Sequence, residues 1–192
     1  MMKNILKTTF FILFSINILL IISNFKPFII KAQVKETSPL IYTTDERNFK
    51  LTFNTNPMSI ISGQKSQLNL SLVDSDSDIK IQHVTYHITV TKDNQVKISN
   101  FFHSHTGNLT ISIPDYNSSS INVEGNFDPL TNAFVPDPSG VIEITGPLFL
   151  QKGVYKINIE ITTIDNDKTV LSIPLEYQYN IIVKNKNQIG NN

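Results

Sequence analysis

Apolar and polar residues alternate with a period of two along most of the chain after residue 48. In QLNLSLV (67–73), Leu68, Leu70 and Leu72 share a face, and in NLTISI (108–113) Leu109, Ile111 and Ile113 do the same. VYKINIEIT (154–162) sets Tyr155, Ile157, Ile159 and Ile161 against Lys156, Asn158 and Glu160. LSIPLEYQYNIIV (171–183) places Leu171, Ile173, Leu175, Tyr177, Tyr179, Ile181 and Val183 on one side. Such alternation marks strands with one buried face, and no long segment carries a helical stripe. Pro174 removes a ladder donor, so the last strand is expected to be an edge or bulged there. Further strands are predicted near FKLTF (49–53), over 79–91 and 95–105, and around VIEI (141–144).

Turn signals separate these segments: Ser62-Gly63, Asp93-Asn94, Thr106-Gly107, Gly153 and Asp165-Asn166-Asp167. Roughly eight short strands with polar turns predict an all-β fold, a β-sandwich of immunoglobulin-like order spanning 49–184. The Cys and Trp of antibody domains are absent. Residues 33–48 are polar and read as a flexible lead-in, and 185–192 as a disordered tail. Residues 114–140 hold four prolines with Tyr116, Phe127 and Phe134, and are expected to form a long loop that is functional or covers something.

The first 32 residues differ from the rest. Lys3 and Lys7 precede the apolar run FFILFSINILLII (10–22), and Lys31-Ala32-Gln33 closes the segment. A basic start, a short apolar run and a small residue predict a signal peptide, cleaved after Ala32. An uncleaved anchor extended through Phe28–Ile30 is the competing reading, and Lys26 and Pro27 would then sit in hydrocarbon. Secretion or display at the cell surface follows from either.

Removing 1–32 takes away four lysines and no acid, so 12 basic and 16 acidic side chains remain, a net charge of −4. Nucleic-acid binding needs a basic footprint and is disfavoured. The chain has no cysteine, so stability rests on apolar burial, with or without help from a bound ion.

All four histidines fall within residues 81–107: His83, His87, His103 and His105. In the first of the two strands around Asp93-Asn94, Val84, Tyr86, Ile88 and Val90 alternate with His83, Thr85, His87 and Thr89. In the second, His103 and His105 lie opposite the face of Val96, Ile98 and Phe102. A two-residue hairpin loop would mix the faces. A three-residue loop, Asp93 to Gln95, pairs Val90 with Ile98 and Tyr86 with Phe102, and burial selects that register. His83 then faces His105, Thr85 faces His103, and His87 is diagonal to His103.

Positions two apart on a strand are separated by about 6.6 Å, and positions four apart by about 13 Å. His103, His105 and His83 therefore form the best ligand set for one ion, with His87 supporting it or pairing with His103. Imidazole ligation suits zinc or copper(II). A blue-copper centre is excluded for want of a thiolate. A histidine brace is excluded because the predicted mature N-terminus is Gln33. The alternative is a solvated strand face on which four histidines happen to cluster, in a structural or adhesive surface module with no metal.

Other signals are weaker. DSDSD (74–78) lacks the Gly and distal Glu of an EF-hand loop and reads as a solvated turn. Asp165-Asn166-Asp167 reads as a hairpin turn. Asn69, Asn108 and Asn117 begin glycosylation sequons. No Gly-rich loop, HExxH or paired-carboxylate motif is present, and Ser104 has no triad partner. A non-enzymatic binding or structural module follows, with a cell-surface protein as a possible partner.

The stretch DSDSDIKIQHVTYHITVTKDNQ through FFHSHTGNLTI, with GVYKINIEITTID later, resembles exported immunoglobulin-like domains of ammonia-oxidising archaea. In those, a strand of the form H-x-x-Y-x-V-x-V leads through a turn to an FHSH segment. The resemblance spans roughly residues 50–183, and FHSHTG is its most specific part. It implies an extracytoplasmic β-sandwich and permits a copper-linked role.

Overall fold

The computed structural model describes residues 41–44, 47–115, 118–168 and 170–186. The expected signal peptide, most of the lead-in and all but the start of the tail lie outside the described residues. Those described form strands and turns, arranged as two packed sheets in a sandwich.

The first sheet contains β1 (Ile41–Thr44), β2 (Arg47–Asn56), β4 (Ser66–Asp74), β7 (Asn108–Ile113), β11 (Val141–Thr145) and β8 (Asn122–Glu124), in that order. The second runs β3 (Ile60–Ile61), β13 (Val170–Lys184), β12 (Gly153–Thr163), β5 (Val84–Lys92), β6 (Gln95–Ser104), β10 (Ala133–Val135) and β9 (Asn126–Asp128). The described residues thus form thirteen strands in place of the roughly eight expected. Five of them (β1, β3, β8, β9 and β10) have two to four residues, too few for alternation to show in sequence. They exist because a neighbouring edge offers unpaired donors and acceptors.

Alternating side chains from both sheets meet in one core. Leu68, Leu70, Leu72, Leu109 and Ile111 face Tyr86, Ile88, Ile157, Ile159 and Ile161, all nearly solvent-free. Tyrosines pin the sheets together through their hydroxyls: Tyr177 donates to Phe49 O at 3.4 Å and Tyr179 to Leu51 O at 3.3 Å. At the start of β12, Tyr155 donates back to Gln151 O at 3.0 Å.

Three expectations change. The 114–140 segment carries β8, β9 and β10, with β10 laid parallel to β6 at Phe134 and Phe102. It extends the histidine-bearing sheet beyond β6. In β13, Ile173 is 74% exposed and not on the core side. Pairing passes from Ile161–Leu175 directly to Thr163–Val170, so the four residues Leu171–Pro174 leave the ladder beside the proline.

The third change is at the β5–β6 hairpin. Its loop has two residues, Asp93 and Asn94, both with positive φ, so Lys92 pairs with Gln95. A bulge at Lys97 then shifts the register by one. Val90 meets Ile98 and Tyr86 meets Phe102, the pairing that apolar burial demands. The far end of the hairpin is therefore as expected, by a different route.

Candidate metal centre

Past that bulge, Thr85 pairs with His103 and Val84 with Ser104. His83 stands just before β5 in the left-handed region at φ 51, and its amide donates to His105 O at 3.3 Å. Histidine tolerates this backbone better than most residues, at a cost of order 1 kcal/mol. Gly107, at φ 71, lets the β6–β7 turn lie against the carbonyl of Ile81, where a Cβ would come within 1.8 Å of oxygen. That approach holds His105 beside His83.

Three imidazoles and one carboxylate converge at this end of the sheet. The ligand atoms of His83, His103, His105 and Asp167 all lie within 4.8 Å of one another. His83 Nδ1 is 2.7 Å from Asp167 Oδ1 and 3.3 Å from His105 Nδ1, and His103 Nε2 is 3.1 Å from the same carboxylate oxygen. Neighbouring ligands in a tetrahedral site with bonds of 2.0–2.1 Å stand about 3.3 Å apart, so this spacing suits a first-row ion.

His103 distinguishes the cluster from a surface coincidence. The alternative reading placed the histidines on a solvated face, yet His103 is fully buried, and Thr85 and Thr163 beside it nearly so. Strand β5 flanks it on one side and β10 on the other, and the rings of His83 and His105 stand against it. Its Nδ1 is 2.9 Å from Thr85 Oγ1, which accepts from Thr163 Oγ1 at 2.7 Å. Its Nε2 has no hydrogen-bond partner: Asp167 is close enough, but off the line that an N–H donor would need. Burial lowers the His103 pKa below the ordinary histidine value. The Asp167 and Asp128 carboxylates oppose this, while His105 and His83 add to it. The ring is thereby kept neutral, the form that ligates.

Asp128 contributes charge but no free oxygen. Its carboxylate accepts from Leu130 N and Thr131 Oγ1, both at 3.0 Å, which holds its pKa below the usual carboxylate range.

His87 is not part of this group. It pairs with Phe101 in the ladder and stacks on that ring at 4.3 Å between centroids. Its Nδ1 faces Glu160 Oε2 at 3.1 Å and its Nε2 faces Ser99 Oγ at 2.9 Å. Both nitrogens are engaged, so neither of the supporting roles expected for it is filled.

Sequence reasoning missed Asp167. It belongs to the β12–β13 turn, more than sixty residues from the histidines, and only the order β12-β5-β6 brings that turn to His83. The triplet Asp165-Asn166-Asp167 carried the signal but had no location. DSDSD is a turn as expected: Asp74 Oδ1 accepts from Asp76 N, Ser77 N and Ser77 Oγ, and Oδ2 accepts from Arg47 Nε at 3.4 Å, so both oxygens are engaged.

Comparison with protein-family models, curated proteins and solved structures gave no match.

Proposed function

We propose that this protein is an extracytoplasmic, immunoglobulin-like module that binds one zinc or copper(II) ion. The ligands are His103 Nε2, His83 Nδ1, His105 Nδ1 and Asp167 Oδ1. The observation that carries this reading is the buried, unpartnered His103 Nε2, which lies within 4.8 Å of three other ligand atoms. A polar atom buried without a partner costs about 1–3 kcal/mol, and an ion at the centre of the four would remove that cost.

The donor set favours a borderline divalent ion over calcium or magnesium, which take oxygen ligands. At equal geometry copper(II) binds more tightly than zinc. Binding, and no reaction, is assigned to this centre.

The immunoglobulin-like order is supported by the central strands. One sheet has β2-β4-β7 and the other β13-β12-β5-β6, with β3 parallel to β13 at its end. The Tyr155 hydroxyl bonded to a carbonyl four residues upstream, at the start of β12, matches the tyrosine corner of such domains. Export is supported by the basic and apolar pattern of residues 1–32, and by the resemblance to exported archaeal domains.

Calorimetric titration of the purified protein with zinc and copper(II) salts tests the reading. One ion per chain is expected, with saturation at micromolar concentrations. Zinc at a hundredfold excess over its dissociation constant should stabilise the fold by about 2.7 kcal/mol. A flat titration at micromolar protein would leave a structural or adhesive surface module with no metal.

A further inference from the structure

The same sheet face carries a second constellation. Glu160 on β12, His87 on β5 and Ser99 on β6 lie on three neighbouring strands, His87 opposite Glu160 and Ser99 opposite Thr89, two residue pairs along. The contacts run Glu160 Oε2 to His87 Nδ1 at 3.1 Å, then His87 Nε2 to Ser99 Oγ at 2.9 Å. An ionised carboxylate only accepts, so Nδ1 carries the proton and donates to Glu160. Nε2 is then a bare acceptor, and the Ser99 hydroxyl donates to it.

We propose that Ser99 is an activated nucleophile, with His87 as its general base and Glu160 as the group that fixes the tautomer and stabilises the imidazolium. A nucleophile within hydrogen-bond reach of a base that a third group orients is the arrangement acyl transfer needs. Phe101, stacked on the imidazole, holds its plane. Ser99 is exposed, so an acyl donor can reach Oγ.

The substrate class follows from what surrounds the serine. Thr89 Oγ1 lies 3.0 Å from Ser99 Oγ and can donate to a developing oxyanion. On its outer side β6 meets β10 only at Phe102, so no strand pairs with that edge beside Ser99 among the described residues. Weak oxyanion support on an open sheet face restricts the site to small acyl esters with acidic alcohols.

In the step, Ser99 Oγ attacks the ester carbonyl as its proton moves to His87 Nε2. The tetrahedral intermediate collapses, the C–O bond to the alcohol breaks, and Nε2–H protonates the departing alkoxide. Water then repeats the sequence on the acyl-serine and releases the acid. This proposal is independent of the metal reading.

The test is a fluorophosphonate probe on the purified full chain, with the adduct located by peptide mass spectrometry, alongside p-nitrophenyl acetate in stopped flow. A single adduct on Ser99 and a burst of one equivalent of p-nitrophenolate are expected. His87→Ala should abolish both, and Glu160→Gln should slow labelling at least tenfold while the fold persists. No adduct on Ser99 in the wild type, or labelling of His87→Ala at the wild-type rate, would overturn the proposal.

Discussion

His103 and His87 occupy the same face of the same sheet, two residue pairs apart along the β5–β6 ladder. They have opposite hydrogen-bond states. His87 has an acceptor on one nitrogen and a hydroxyl on the other, and an aromatic ring against its face. His103 has one nitrogen held by Thr85 and the other facing ligand atoms with no bond to any. To ligate an ion, His87 would have to give up a bond worth about 0.5–1.5 kcal/mol, whereas His103 gives up nothing. Clustering in sequence therefore does not make a site. An unfilled valence in a buried place does.

The most direct way to break this comparison is to delete each ring in turn. His103→Ala should lower zinc affinity by at least a hundredfold, since it removes the one ligand that burial holds in place. His87→Ala should change it by less than about threefold, because no ligand atom or supporting bond is lost. Competition with a chromophoric chelator reads both. Equal losses would mean that the two histidines are not different in kind.

The turns allow a second comparison, with a smaller expected effect. Asp167→Asn should weaken zinc binding about ten- to a hundredfold by replacing a charged ligand with a neutral one. Asp74→Asn should leave affinity within about threefold, although Asp74 belongs to the more acidic segment, because its carboxylate is already bound by its own turn and by Arg47. The sole arginine, Arg47, pairs with both Asp74 and Asp165 and so ties the two turns together. A weaker coupling between them is therefore expected. The same titration, run on Asp167→Asn, Asp74→Asn and the double variant, measures it.

How much of this was legible in the sequence depends on range. Alternation in QLNLSLV and VYKINIEIT located β4 and β12 because each buries one full face. The facing of Tyr86 and Phe102 was legible because a one-residue slip would expose a whole row of apolar side chains. The Lys97 bulge was not, since a longer loop and a shorter loop plus a bulge give the same distal register. His103 was legible as a candidate by its spacing from His105, but its burial was not, because local pattern does not place the β10 strand that flanks β6. Asp167 was out of reach for the same reason.

The smallest effect concerns protons, and it isolates His103 in the metal-free protein. Its pKa is lowered by burial, against Asp167 and Asp128 and with His83 and His105. In the unfolded chain the imidazole protonates near its ordinary value of about 6.5. Above that value both states are neutral and the ring contributes no pH dependence. As pH falls below it, the unfolded state binds a proton that the folded state refuses. Stability drops by up to about 1.4 kcal/mol per pH unit from this one group, until the folded pKa is passed. Urea unfolding midpoints at pH 7.5, 6.0 and 5.0, with chelator present, should therefore fall more steeply for wild type than for His103→Gln. Zinc should steepen the wild-type profile further, because three imidazoles must be unprotonated to bind. Parallel profiles for wild type and His103→Gln would show that the buried ring is not held neutral, and the contrast between the two histidines would lose its physical basis.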